Sequence, residues 1–119
     1  MKIFHQGDVE EAKQHSMDGG QALHLHRIIG DWAKAPMCFR RAIERGEDIA
    51  HLFDQDEVRL IATVKRLGVK IVVVEHPGTP RQHVDLCGAP LRRARQDAIE
   101  DDASWLGAFG KYAKPIASA

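Results

Sequence analysis

Lys70-Ile71-Val72-Val73-Val74-Glu75-His76-Pro77-Gly78-Thr79-Pro80-Arg81-Gln82-His83-Val84-Asp85-Leu86-Cys87-Gly88-Ala89-Pro90-Leu91-Arg92-Arg93 is the stretch that decides how the chain is read. The β-branched run from Val69 to Val74 has the pattern of a strand buried on both faces. It runs into Glu75 and His76, and Pro77, Gly78 and Pro80 then enforce a loop. His83-Val84-Asp85-Leu86 reads as a last short strand. Pro90 suits the first position of a helix, with Leu91, Ala94 and Ala98 facing inward. Ligand sites in open α/β sheets gather at the carboxyl ends of strands and at helix N-termini. Two such ends fall here, so a ligand site is expected at the 75–95 edge of the sheet.

Working outward, Asp54-x-x-Glu57 has capping-box spacing. Val58, Ile61, Ala62, Val64 and Leu67 read as the apolar stripe of the helix it opens. Gly68 supplies the stop. Helix, glycine and apolar strand make one half of a βαβ crossover. Upstream, Lys2 to Gln6 and Ile49 to Phe53 read as short strands. Asp8, with Glu11 three residues on, can cap a helix through Val9 and Ala12 that Asp18-Gly19-Gly20 breaks. Residues 21–29 fit a strand, in which Leu23 and Leu25 alternate with His24 and His26, and fit a helix less well. Pro36 can open a helix whose apolar face is Met37, Cys38, Phe39, Ala42 and Ile43, ended by Gly46. The expectation is one small α/β domain over residues 1–102, with a mainly parallel or mixed sheet flanked by helices. Residues 103–119 are expected to pack back through Trp105, Leu106, Phe109 and Tyr112 and to end in a mobile tail.

A chain of 119 residues holds one core, not two. Its 44% hydrophobic and 29% charged residues suit a water-soluble domain. No apolar run approaches the roughly 18 residues of a membrane span. The first residues lack a signal-peptide core, so a cytoplasmic location is expected. Cys38 and Cys87 have no CxxC spacing and argue against a disulfide framework. Neither a Walker A sequence nor a GxGxxG occurs, which disfavours a P-loop or dinucleotide fold. Net charge is zero, too low for a non-specific nucleic-acid binder. The charge is uneven, however: residues 61–95 carry seven basic and two acidic side chains. That segment is the anion-facing part.

Two constellations could carry chemistry. Arg92, Arg93 and Arg95 sit early on the last helix and Glu100, Asp101 and Asp102 late, the reverse of what the helix dipole favours. With Arg81 they are candidates to bind a phosphate or carboxylate. The competing reading pairs them internally, for example Arg93 with Asp97. The second constellation is His83, Asp85 and His76, candidates for acid–base catalysis. His5 and Asp8 at the end of the first strand could join them. Such a cluster could also hold a divalent metal, but no HExxH-type spacing occurs, so no metal ligand is assigned and no cofactor is named. His24 and His26 share a strand face, which is read as polar side out, leucines in. Cys87 is read as a small buried hydrophobe ahead of a nucleophile.

His51-Leu52, Asp54, Leu60, Leu67-Gly68, His83-Val84-Asp85-Leu86 and Leu91-Arg92-Arg93-Ala94 together resemble a bacterial family of small domains of unknown function. The likeness spans about a third of the chain, with Val84 in place of an aromatic. It implies an α/β fold and importance for His83 and Asp85, and supplies no reaction. The functional expectation is a bacterial protein that binds a small phosphorylated or carboxylated ligand, with hydrolysis as one activity the site allows. The alternative is a non-catalytic module using the arginine-rich face on a protein or nucleic acid. No membrane partner is expected, and self-association is left open.

Overall fold

Alternation along three paired strands sorts the side chains onto two unlike faces. A computed structural model describes residues 1–27 and 37–100, with the backbone alone for Met37 and Cys38. The strands are β1 (Lys2–Phe4), β2 (Ala22–His26), β3 (Ile49–Phe53) and β4 (His83–Leu86), side by side in that order. β1 runs parallel to β2, while β2–β3 and β3–β4 are antiparallel. The sheet is mixed and the fold is α/β. Its helices are α1 (Val9–Met17), α2 (Met37–Glu44), α3 (Glu57–Arg66) and α4 over residues 88–100. The parallel crossover is β1–α1–β2, at the start of the chain.

One face is wholly apolar. Leu23, Leu25, Ala50, Leu52, Val84 and Leu86 are buried there against Leu60, Val64 and Leu67 of the α3 segment and Leu91 and Ala94 of α4. The opposite face carries two smaller clusters. Phe4, Ala22 and Phe53 pack with Ala12 of α1, and Ile49 packs with Phe39 and Ala42 of α2. Between these patches the same face is polar. Residues 21–29, open between strand and helix in the sequence, form β2 over Ala22–His26. Pro36 and residues 103–119 lie outside the described residues. No helix among those described is long and apolar enough to cross a membrane.

The expectation for Val69 to Val74 is overturned. The segment forms no strand; only Glu75 pairs, through a single bridge to His83. Val69, Val72 and Val74 pack on the apolar face, whereas Ile71 is 84% and Val73 57% exposed. An apolar run does not by itself distinguish a doubly buried strand from a connection that covers one side of a core. The α3 stripe also differs. Leu60, Thr63, Val64 and Leu67 face inward, and Val58 lies in solvent. A threonine inside the true i, i+3, i+4, i+7 set hid it from a reading based on apolarity.

The cap of α3 moves as well. Asp56 is the N-cap, its side chain accepting from the Arg59 N–H at 3.0 Å. Asp54 is released for another task. Fully buried, it accepts from Arg59 Nε and Nη2 (2.8 and 2.7 Å), Gln21 Nε2 (2.9 Å) and the Asp56 N–H (2.9 Å). Its carbonyl accepts from Gln82 Nε2 at 2.8 Å. A buried carboxylate is tolerated only with this degree of pairing. Gln21 precedes β2, Asp54 follows β3 and Gln82 precedes β4, so the node pins three strands at one end.

These placements make the two surfaces of the 69–74 segment testable. Val73→Asp keeps the cooperative unfolding of the wild type, with a change within about 0.5 kcal/mol for a surface site. Leu52→Asp places an unpaired charge in the apolar face and does not fold. Thermal unfolding followed by circular dichroism reads both. An unfolded Val73→Asp protein would restore the buried strand.

Candidate functional site

The register that builds the apolar face also builds a row of ionisable groups on the other. His24 on β2 lies opposite His51 on β3, and His51 lies opposite Asp85 on β4. Phe53 lies opposite His83 in the next row. Period-two alternation then puts His26 on this face too. Three antiparallel-paired strands thus deliver four imidazoles and one carboxylate to one surface.

The hydrogen bonds fix the protons. His51 Nδ1 donates to Asp85 Oδ1 at 2.7 Å. His26 Nε2 lies 2.7 Å from His51 Nε2, and one proton is shared between these two nitrogens. His24 donates from Nε2 to the Gln6 carbonyl at 3.2 Å, and its Nδ1 is buried without a partner among the described residues. His83 differs: Nδ1 faces the Arg81 carbonyl at 2.6 Å and Nε2 faces Asp85 Oδ1 at 3.1 Å. Both of its nitrogens meet acceptors, so this ring is built to carry two protons.

The electrostatics agree with that pattern. Burial pushes the His26 ring down to about 4, helped by His51 and His24 beside it and opposed by Asp85. Burial likewise lowers His24, against the Gln6 carbonyl. Burial also works against charge on His83, but the bonds to Asp85 and the Arg81 carbonyl, with Glu75 nearby, win and raise it. Asp85 is held well below the usual carboxylate range. Burial would raise it, and the hydrogen bonds and charges of His51 and His83 outweigh burial.

A cleft of about 430 Å³ opens onto this face, lined by Gln6, Val9, Lys13, His24, His26, His51, Phe53, Arg81 and His83. Asp85 borders a neighbouring hollow together with Arg41, Arg45 and Cys87. The donor atoms of His51, His83 and Asp85 lie within 4.8 Å of one another and could hold a metal ion.

Of the residues singled out in the sequence, His83 and Asp85 are in contact within this cluster. His76 stands at its margin, exposed, with its ring 5.9 Å from that of His83 and a backbone φ of 49°. Arg81 contributes twice, orienting His83 by its carbonyl and lining the cleft by its side chain. The α4 arginines are elsewhere, on the helix that covers the apolar face. Arg92 approaches Glu47 at 4.0 Å, Arg95 lies 3.7 Å from Asp48, and Arg93 donates to the Leu67 carbonyl at 2.9 Å. Gly68, at φ +99°, makes room for that last guanidinium; a Cβ there would lie 2.5 Å from Arg93 Nη1. Asp97 pairs with Arg66, not with Arg93. Asp8 is the N-cap of α1, and Cys87 packs beside Phe39, Ala42 and Ile49.

His51 carries no site role in the sequence reading, and the His24/His26 pair is set aside there as outward polarity. One signal was present. His24-x-His26, His51 and His83-x-Asp85 each place ionisable groups on alternate positions of short strands whose other positions are apolar. Comparison with protein-family models, with curated proteins and with solved structures finds no match to this chain.

The proton assignment has a pH signature in metal-free protein. His83 has a raised folded value, so the stability of its bond to Asp85 is fully present below the ordinary histidine value near 6.5 and is lost as pH rises through the folded one. Long-range ¹H–¹⁵N spectra at pH 6.5 should show His83 with both nitrogens protonated and His26 as a neutral ring down to about pH 4. A neutral His83 at that pH would contradict the assignment.

Proposed function

We propose that the histidine face binds a small anionic molecule, phosphorylated or carboxylated, and hydrolyses an ester of it. The observation that carries this is the make-up of the cleft wall. It combines imidazoles with Lys13 and Arg81 and, among the described residues, no carboxylate. Its volume of about 430 Å³ falls among ligand-binding clefts, roughly 300–1,000 Å³. Arg81 makes no ion pair among the described residues, and Lys13 shares its ammonium only with the exposed Glu10 at 2.8 Å. Charge-assisted hydrogen bonds from these two groups favour an oxyanion. His26, a neutral imidazole on the wall, can orient an attacking water by a hydrogen bond to its ring nitrogen on the side away from His51. Arg92, Arg93 and Arg95 have partners within the fold, which leaves Arg81 as the arginine best placed for a ligand.

Inorganic phosphate, with EDTA present, tests the binding. At 100 times its Kd it adds about 2.7 kcal/mol of stability to the folded protein, a rise of several degrees in Tm. Arg81→Ala and Lys13→Ala should each remove most of that rise, and the Arg92→Ala/Arg93→Ala double variant should keep it. The reverse pattern would move the anion to α4 and favour an arginine-rich interaction face. Turnover of p-nitrophenyl phosphate tests the hydrolysis, with His26→Ala lowering kcat by about 10²–10⁴.

A further inference from the structure

We propose that His51, His83 and Asp85 together bind one divalent first-row transition-metal ion. The inference concerns the same face as the anion site and shares His26 with it, but its ligand atoms differ from the anion's Lys13 and Arg81, so metal binding and anion binding stand or fall separately.

The donors come from adjacent strands, where backbone pairing fixes their spacing. Asp85 Oδ1 is 2.7 Å from His51 Nδ1 and 3.1 Å from His83 Nε2, and the three atoms lie within 4.8 Å of one another. A four-coordinate ion with bonds of about 2.0–2.2 Å sets its donors about 3.3 Å apart. To admit the ion, Asp85 Oδ1 moves away from His51 by about half an ångström and the two imidazole nitrogens, up to 4.8 Å apart, close by about 1.5 Å through small ring rotations. The ion would replace the two protons that Asp85 now accepts.

The outward nitrogens are already held, which is what a ligating imidazole requires. His83 keeps its Nδ1 proton on the Arg81 carbonyl at 2.6 Å. His51, bound through Nδ1, carries its proton on Nε2, and His26 Nε2 stands 2.7 Å away to accept it. Each ring is therefore oriented from behind by a group unable to serve as a ligand in the same place.

Two imidazoles and one carboxylate leave coordination positions open, the pattern of sites that act on a bound molecule. Both rings line the cleft, so an open position is within reach of its contents. The nitrogen-rich set suits Zn²⁺, Fe²⁺, Co²⁺ or Ni²⁺; Mg²⁺ and Ca²⁺ take oxygen ligands.

Zn²⁺ titration of EDTA-treated protein, freed of chelator, tests the inference. Calorimetry should give one site per chain. Long-range ¹H–¹⁵N spectra of the wild type should show His51 Nδ1 and His83 Nε2 shifting while His5 and His76 stay put. His51→Ala and Asp85→Ala should each weaken binding by more than about 100-fold, and His26→Ala, which removes an outer partner, by about 10–100-fold. Zn²⁺ that leaves both ring nitrogens unmoved overturns the inference, whether or not the variants fold. So does equal affinity in a folded His51→Ala protein. Phosphate binding measured with EDTA present reports on the anion site alone, so failure of one reading leaves the other measurable.

Discussion

The register that sets His24 against His51 and His51 against Asp85 is the constraint on which the rest of the structure depends. A slip of one residue would send Leu52 and Val84 to the polar face and the imidazoles into the core. The buried Asp54 guards against that slip. It ties Gln21, Arg59 and Gln82 together at the ends of β2, β3 and β4. The buried Asp54 therefore stabilises the alignment from which both faces follow, by its carboxylate to Gln21 and Arg59 and by its main-chain carbonyl to Gln82. Removing it would leave several donors unpaired at once, a loss on the order of 3–5 kcal/mol for a broken buried ion pair.

The two faces divide the labour. The apolar face, covered by α3, α4 and the valines before Glu75, supplies the hydrophobic burial that drives folding. Among the described residues, the opposite face is covered only at its ends, by α1 near Phe4 and Phe53 and by α2 near Ile49. The gap between those helices is where the imidazoles stand. A sheet with one stable face and one partly covered face can hold polar groups that a closed core would reject. The neutral His26 and the doubly bonded His83 sit within that gap, with proton positions set by the backbone carbonyl of Arg81 and the carboxylate of Asp85.

Local signals in the sequence reached most of the elements. The strands at Lys2, Ile49 and His83, the break after Asp18, the stop at Gly68 and the inward Leu91, Ala94 and Ala98 follow from alternation, glycine placement and helical spacing. Non-local facts were out of reach. Whether Val69 to Val74 is a strand depends on finding a partner edge, and only Glu75 finds one. Whether Asp54 caps α3 or ties strands together depends on Gln21, 33 residues away. His83 and Asp85 stood out because they lie two residues apart. His51, 34 residues from Asp85, joins them only through strand pairing. The partners of the α4 arginines were equally non-local: their unfavourable placement on the helix dipole is offset by Glu47, Asp48 and the Leu67 carbonyl.

The central claim is that the polar row is held in place for a ligand and adds little to stability. Buried polar clusters replaced by apolar side chains of similar volume leave a scaffold as stable or more so. The direct measurement is the urea unfolding free energy of the quadruple variant His26→Leu, His51→Phe, His83→Phe, Asp85→Leu. A stability equal to or above that of the wild type is the expected result. Loss of about 3 kcal/mol or more, or failure to fold, would show that the row is scaffold and contradict the account.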